Sequence, residues 1–303
     1  MNNKNIQTSL DLKQSNFAFC LSNDEKQLII IQQDRLVAYD LSKGQFNIIT
    51  LFEEIQLNQT KICISSDNLF CCVSTQLLIN GQLIFVLLKF DLQKKVLSNK
   101  YLNYHLMSLD MLEFIPNSHI LISLSIDATI KIFDLADQKP KTLITRCSQK
   151  PLYCRLIHKK NRVVIFDNLF NIKLMDTLNE KQLKLIKLRL GRCYKALAEE
   201  NGIVAFLAKS DKCYLYDLPK QKLIRKYKSP DNFNLFKVHT NYLLFQEHNQ
   251  IMILNTITCK QQFLYLQNIQ YIYSMMFNQN LDKLFLCDQE QIHIFDNIEF
   301  LEQ

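Results

Sequence analysis

The chain has 303 residues, of which 48% are hydrophobic and 21% charged, and its formal net charge is +7. This hydrophobic fraction can fill a core, which excludes a chain that is disordered over its whole length. The N-terminal segment MNNKNIQTSLDLKQ is polar, and apolar runs such as LIFVLL at 83–88 are far shorter than the roughly 20 residues of a membrane helix. The ten Cys are scattered, mostly among apolar neighbours. We therefore expect a soluble cytoplasmic protein with reduced thiols, and the nucleus is the alternative location.

A short pattern recurs along the chain, in which an aromatic or apolar residue followed by Asp or Asn ends a β-rich run. The polar residues of the seven copies are Asp40, Asp91, Asp134, Asp176, Asp217, Asn255 and Asp296. The steps between them are 51, 43, 42, 41, 38 and 41 residues. This near-constant period indicates a repeat architecture rather than a set of unrelated hairpins.

Each period contains the same order of short strands and polar turns. The first two strands of the seven copies are predicted, in chain order, within FAFCLSNDEKQLIII, KICISSDNLFCCV, LDMLEFIPNSHILISLSI, LYCRLIHKKNRVVIF, KALAEENGIVAFLA, LFKVHTNYLLFQ and SMMFNQNLDKLFLC. The third strand ends at the repeated Asp or Asn, and a fourth strand follows. KQLKLIKLRL at 181–190 alternates strictly, which favours the fourth strand of its copy over a helix.

A four-stranded sheet of about 40–45 residues is the unit of a β-propeller. The predicted fold is therefore all-β, a seven-bladed β-propeller of four-stranded antiparallel blades. The seventh copy runs out at 298–301 before a complete fourth strand, whereas residues 6–12 form an extended segment that precedes the first copy. We predict that residues 1–303 form a single domain in which residues 6–12 supply the outer strand of the last blade, closing the ring.

The third copy contains SIDATIKIFDL at 125–135, which resembles the core of a WD repeat with Phe133 in place of Trp. His105 falls upstream where that family places its His. The resemblance implies a buried hydrogen-bond network that links His105, Ser125, Asp127 and residue 133. Phenylalanine has no N–H, so the network must be shortened here. The GH dipeptide of the family is absent. The well-defined motif covers one blade, whereas its spacing recurs along the whole chain.

Motifs that carry chemistry are absent from the sequence: we find no phosphate-binding glycine loop, GxSxG, HExxH or CxxC. The repeated carboxylates occupy a position typical of turn residues that accept backbone N–H groups, and they are Asp40, Asp91, Asp134, Asp176, Asp217 and Asp296. We therefore predict no catalytic residue, no metal and no cofactor. A propeller enzyme with an axial active site is the least favoured alternative.

The charge is unevenly distributed, because residues 139–228 hold 22 Lys and Arg against 7 Asp and Glu. In a propeller, the loops between strands one and two and between strands three and four emerge on the same face. The candidate basic patch on that face comprises Lys139, Lys141, Lys159, Lys160, Arg162, Lys181, Lys220 and Lys222. Such segregation points to an acidic peptide, an acidic partner domain or nucleic-acid phosphate, with a solvated Lys-rich rim as the alternative.

Both the absence of catalytic motifs and the WD-repeat resemblance imply a non-enzymatic scaffold for protein–protein interaction within an intracellular multiprotein complex. The expected partners are proteins with acidic surfaces or peptides, without membrane insertion or self-association. The second hypothesis is a propeller associated with RNA or ribonucleoprotein, in ribosome assembly or RNA processing, that uses the basic sector of blades three to five.

Overall fold

A computed structural model describes most of the chain. The described residues are 8–11, 18–52, 56–115, 117–135, 140–144, 151–157, 162–176, 182–188, 192–198, 202–208, 212–228, 234–239, 242–247, 250–266, 269, 272, 274–278, 280, 282–288, 291–296 and 298. The regular elements within these ranges are all β-strands. No helix with the length and apolar character needed to cross a bilayer occurs in them.

The strands form seven antiparallel sheets of four strands each, and the chain divides into two compact units. Residues 12–148 make up the first unit and contain blades one to three. Blade one consists of β2 (Ala18–Leu21), β3 (Gln27–Ile31), β4 (Arg35–Asp40) and β5 (Gln45–Leu51). Blade two consists of β6 (Gln56–Ile64), β7 (Phe70–Ile79), β8 (Gln82–Asp91) and β9 (Val96–Leu102). Blade three consists of β10 (Leu109–Phe114), β11 (Ile120–Ser125), β12 (Ile130–Asp134) and β13 (Pro140–Ile144).

The second unit comprises residues 1–11 and 149–303 and contains blades four to seven. Blade four consists of β14 (Pro151–Ile157), β15 (Arg162–Asp167), β16 (Asn171–Asp176) and β17 (Gln182–Lys187). Blade five consists of β18 (Cys193–Ala198), β19 (Ile203–Ala208), β20 (Lys212–Asp217) and β21 (Lys222–Lys228). Blade six consists of β22 (Asn234–His239), β23 (Tyr242–Glu247), β24 (Gln250–Asn255) and β25 (Gln261–Tyr265). Blade seven consists of β26 (Ser274–Phe277), β27 (Leu284–Cys287), β28 (Gln291–Phe295) and the N-terminal β1 (Thr8–Asp11).

These sheets confirm the predicted fold, a seven-bladed propeller of four-stranded antiparallel blades. Strand β1 pairs antiparallel with β28, from Thr8 opposite Ile294 to Asp11 opposite Gln291. The N-terminal segment thus supplies the outer strand of the last blade. The strand predicted within 181–190 is β17, the fourth strand of blade four. That residues 1–303 form a single domain stays a prediction.

Blade two contains the longest hairpin among the described strands, in which β7 and β8 each have ten residues. The hairpin closes on Asn80 and Gly81, both with positive φ, as a type I′ turn requires. Leu78 and Leu83 lie opposite each other near its tip, and both are exposed. This extension explains why the step from Asp40 to Asp91 is the longest of the repeat.

β-Bulges recur at two positions of the blade, which the sequence analysis did not predict. The first strands of blades three to six carry an extra residue at Asp110, Leu152, Tyr194 and Phe236, which are spaced 42 residues apart. The outer strands of blades one to five carry one at Ile49, Ser98, Leu143, Leu183 and Ile224. A bulge bends and twists its strand and is frequent at sheet edges.

Buried residues on the faces of adjacent blades form the hydrophobic core. In the 12–148 unit, Cys72 and Leu87 of blade two pack with Leu121 and Phe133 of blade three. In the second unit, one cluster joins blades five and six and another joins blades six and seven. The residue before the repeated Asp or Asn is buried in blades one, two, three, five, six and seven, at Tyr39, Phe90, Phe133, Tyr216, Leu254 and Phe295. The repeated pattern thus marks a core position of the blade.

Candidate interaction surfaces

A buried polar network lies at the start of blade three and centres on His105. The Nδ1 atom of His105 is 3.3 Å from Asp127 Oδ2 and 2.9 Å from Thr129 Oγ1, and its Nε2 atom is 2.8 Å from Ser123 Oγ. Asp127 also accepts hydrogen bonds from the backbone N–H groups of Leu106 and Thr129, both at 2.9 Å. The carboxylate therefore ties together the loop before β10, the β11–β12 turn and the imidazole.

The hydroxyl that contacts His105 belongs to Ser123, whereas Ser125, which the WD-repeat resemblance places in the network, is linked to it through Asp127. Ser125 Oγ instead donates to the backbone carbonyls of Met107 and Ser108 and accepts the N–H of Asp127. Phe133 contacts the network through the ring of Tyr104, at a centroid distance of 6.2 Å, and meets Tyr101 edge-on at 4.7 Å. The hydroxyls of Ser123 and Tyr104 lie 3.1 Å apart. The Tyr104 hydroxyl thus provides the polar group that Phe133 lacks, and it is the last group of the network.

The surroundings of His105 fix its protonation. A carboxylate only accepts hydrogen bonds, so the Nδ1 atom that faces Asp127 carries the proton, and the Nε2 atom lies 2.8 Å from Ser123 Oγ. Burial lowers the pKa of His105 to about 4, and the charge of Lys131 acts in the same direction while Asp127 opposes it. Burial would raise the pKa of Asp127, but hydrogen bonds from Thr129 and Leu106 outweigh it and hold that pKa below its usual value. His105 is therefore neutral at physiological pH and Asp127 is ionised.

This buried neutral histidine predicts a loss of stability in mild acid. The unfolded chain protonates His105 near its ordinary pKa of about 6.5, whereas the folded protein does so only near about 4. The unfolded state therefore binds more protons across this window, so the contribution is present above about pH 6.5 and is lost as the pH falls towards 4. We expect the free energy of unfolding to fall by about 3 kcal/mol over this range. Urea denaturation at several pH values checks this, and His105→Gln should flatten the dependence.

The network holds an exposed apolar surface in place, formed by Leu106, Met107 and Ile126. The backbone of Leu106 is bonded to Asp127, and the N–H of Ile126 donates to the carbonyl of Ser108 at 3.1 Å. The side chain of Leu106 is nevertheless 80% exposed, and those of Met107 and Ile126 are also exposed. We call these three residues the Leu106 surface. Its backbone is anchored by hydrogen bonds to Asp127 and Ser108 while its apolar side chains face solvent.

The repeated carboxylates act within turns where the structure describes their bonds. Asp40 accepts the N–H groups of Ser42 and Lys43, and Asp91 and Asp217 accept those of Lys94 and Lys220. Asn255 plays the same part for Ile257 and Thr258 in blade six. The hydrogen bond from the Ser42 hydroxyl, followed by the Lys43 N–H, lowers the pKa of Asp40. These residues stabilise the turn between the third and fourth strands.

Two further carboxylates act in turns, and the repeated sequence pattern did not identify them. Asp167 is buried in the β15–β16 turn, where it accepts the N–H groups of Leu169 and Asn171 and lies 3.5 Å from Lys173 Nζ. In blade seven, Asp288 Oδ2 is 2.6 Å from Nε2 of the buried His293. Both carboxylates precede the third strand of their blade, as Asp127 does. The segment DNLFN at 167–171 carried the signal, but Phe170 at its positive-φ position obscured it.

The buried thiols are held in their protonated form. Burial raises the pKa of Cys72, Cys193 and Cys287 to about 12 each. A thiolate is the nucleophilic and metal-binding form of cysteine, so these residues pack as small hydrophobic side chains. Within the described part of the chain, no group of three or more His, Cys, Asp and Glu side chains is arranged to hold a metal.

The candidate basic patch falls partly outside the described residues, namely at Lys139, Lys159, Lys160 and Lys181. Lys141 lies within β13 and Arg162 begins β15, so neither belongs to a loop. Lys220 is in the β20–β21 turn, where its Nζ atom is 3.2 Å from Asp217 Oδ2, and Lys222 is the first residue of β21. Of the described members, Lys220 therefore lies in a turn and Lys141, Arg162 and Lys222 lie in strands, and the binding role of the patch stays a prediction.

Further cations of the basic segment lie on the outer strands β17 and β21, and of these only Lys222 belongs to the candidate basic patch. Lys184 and Lys187 are exposed on β17, and β21 has the sequence KLIRKYK with exposed Lys222, Arg225, Lys226 and Lys228. The Nη1 atom of Arg225 donates to the Thr256 carbonyl at 3.4 Å and lies 2.7 Å from Cys259 Sγ. The alternation of these strands was visible in the sequence, but which residues remain exposed depends on the position of the strand at the edge of its sheet.

Comparison with known proteins places the fold. No protein-family model matches the chain, and no curated protein matches its sequence. Three solved structures are similar over 97% of this chain. The β-propeller domain of Cps50 (Swd1) from Myceliophteria thermophila has a TM-score of 0.77 at 11% identity over 99% of that chain. A chain of the mitotic checkpoint complex has a TM-score of 0.72 at 10% identity over 92% of that chain. U3-55K has a TM-score of 0.70 at 13% identity over 100% of that chain.

These are WD40 β-propeller structures, and at such low identity the likeness shows the fold. The resemblance seen at 125–135 is thereby confirmed for the fold of the chain.

Proposed function

We propose that this protein is a non-enzymatic scaffold that binds other proteins within an intracellular, cytoplasmic multiprotein complex. The observation that carries the proposal is the Leu106 surface, where exposed apolar side chains stand on a backbone fixed by hydrogen bonds to Asp127 and Ser108. Apolar side chains grouped at the surface mark interaction sites, and an anchored backbone lowers the entropic cost of binding. That one similar structure belongs to the mitotic checkpoint complex is consistent with such a role.

Three observations support the non-enzymatic part of the proposal. The side chains of His105 and Asp127 are buried and hydrogen-bonded within the blade, the repeated carboxylates bind turn N–H groups, and the buried thiols stay protonated. Catalytic groups in contrast need access to substrate and a pKa near the working pH. The titratable groups described above therefore stabilise the blades.

Affinity purification with partner identification tests the proposal. We expect the tagged wild-type protein to retain a defined set of partners and the Leu106→Asp/Met107→Asp variant to lose at least one of them. Buried charge at an apolar contact is costly, whereas both side chains are exposed in the free protein, so the fold is retained. Leu51→Asp is the matched control, since Leu51 is an exposed apolar residue of β5. An unchanged partner set in the Leu106 variant would contradict the proposal.

The RNA-associated function is a second candidate, supported by the cations on β17 and β21 and by the similarity to U3-55K. Phosphate contacts release counterions, so this function predicts binding that weakens steeply with salt. Titration of a fluorescent oligouridylate at increasing salt concentration measures it. Absence of binding at low salt would exclude this candidate.

A further inference from the structure

Strand β21 is the outer strand of blade five and has an open edge. It lies at one end of the sheet, and its described pairing is with β20 alone. An edge strand presents unpaired N–H and C=O groups along its outer side, which an extended peptide can match by adding a further strand. We infer that the outer edge of β21 binds an extended acidic peptide segment of a partner protein, added as a fifth antiparallel or parallel strand. This inference rests on the proposed scaffold function and names one of its surfaces.

The charge of β21 selects an acidic partner. Four of its seven residues are exposed cations, namely Lys222, Arg225, Lys226 and Lys228. The ion pairs found among the described residues include none of the four. The other outer strands differ: β1, β5 and β25 have no cation, β9 and β13 have one each, and β17 has two. The concentration of positive charge on β21 is therefore a property of this blade and not of the propeller repeat.

Exposed apolar residues accompany the charges. Leu223 and Ile224 are both exposed, and Ile224 is the extra residue of a bulge, because Leu215 pairs with Arg225 while Tyr216 pairs with Leu223. Lysines alone would keep an edge strand from aggregating. The exposed apolar side chains of Leu223 and Ile224 weaken that protection against aggregation, and they provide contact area for a partner. The complementary segment thus combines Asp or Glu with apolar residues in an extended conformation.

The observations favour a peptide over RNA at this edge. The single aromatic residue of β21 is Tyr227, which is buried and donates its hydroxyl hydrogen bond to the Thr256 carbonyl at 2.9 Å. Single-stranded RNA is bound by exposed rings on which bases stack, and β21 offers no such ring. The guanidinium of Arg225 is already engaged by Thr256 and Cys259. What remains free is a row of lysines on an open backbone edge, which matches an acidic strand.

A synthetic peptide of alternating Glu and Val tests the inference with the full-length protein. We expect it to bind and to protect the amides of residues 222–228 from hydrogen exchange, because strand addition occupies them. The Lys222→Glu/Lys226→Glu/Lys228→Glu variant should bind it about tenfold more weakly, since three exposed charge pairs become repulsive. A peptide with N-methylated backbone amides carries the same charge but cannot complete the ladder, so it should bind about tenfold more weakly to the wild-type protein.

The control variant is Lys26→Glu/Lys100→Glu, which reverses two exposed lysines of blades one and two and should bind like the wild type. If the N-methylated peptide bound as tightly as the unmodified Glu-Val peptide, or if the Glu-Val peptide did not bind, strand addition at β21 would be overturned. Tighter binding of oligouridylate that the triple variant abolishes would replace it with an RNA site. If the peptide does not bind but affinity purification still yields partners, the β21 inference fails while the scaffold proposal stands.

Discussion

Replacing Asp127 with Ala should lower the free energy of unfolding by about 3–5 kcal/mol, the usual cost of breaking a buried charged network. The substitution leaves the N–H groups of Leu106 and Thr129 without their acceptor and leaves His105 Nδ1 with Thr129 Oγ1 as its remaining partner. For a chain of this size the melting temperature should fall by about 8 °C or more. Urea denaturation and calorimetry measure both quantities. Asp127→Asn keeps an acceptor oxygen and should lie between the wild type and the alanine variant.

Asp34 offers the matched control in blade one. Its side chain is 42% exposed, against 7% for Asp127, and its carboxylate pairs with Arg35 at 2.7 Å. Exposed pairs contribute little, so Asp34→Ala should change stability by less than about 1 kcal/mol. Similar small effects of the two substitutions would show that the His105 network does not stabilise blade three.

Deleting residues 1–14 should strongly destabilise the second unit. The deletion removes β1, which pairs with β28 over four residues and buries Leu10. The seventh sheet then loses its outer strand and exposes a new edge at β28. Burial of a leucine side chain alone contributes about 1.5–3 kcal/mol, and the lost ladder adds to it, so we expect the melting temperature to fall by about 5 °C or more.

Deletion of residues 1–5, which precede β1, is the control for this experiment and should leave the transition close to that of the wild type. Thermal unfolding of both truncations followed by circular dichroism makes the comparison. An unchanged transition in the longer truncation would contradict the role of β1 as the fourth strand of blade seven.

The prediction of the blades from the sequence succeeded because the signal is local. Alternation with a period of two and a polar turn are properties of adjacent residues, and the repeat multiplied this signal seven times. The same reasoning placed the N-terminal strand, since a four-stranded unit that lacks its last strand needs one from elsewhere. Phe133 lies at the position before the repeated Asp, and its side chain is buried.

The partners of His105 could not be assigned in the same way. Ser123 and Ser125 are two residues apart on β11, so their side chains point to the same face of the strand and the sequence does not separate them. The choice depends on the cross-strand register, in which Ser123 lies opposite Lys131 and Leu112, and on the bulge at Asp110. Tyr104, whose hydroxyl accepts a hydrogen bond from Ser123, comes from a different segment than Phe133, so its role appears only once the chain is folded.

The sequence by itself determined the seven repeats, the all-β blades, the buried aromatic position and the excess of cations in residues 139–228. The tertiary structure decided which hydroxyl meets His105, where the bulges fall, and that Leu106 and the lysines of β21 stay exposed. The physical reason is range: strand propensity and turn chemistry act between neighbours in the chain, whereas burial and hydrogen-bond partnership are set by strands and loops that meet only on folding.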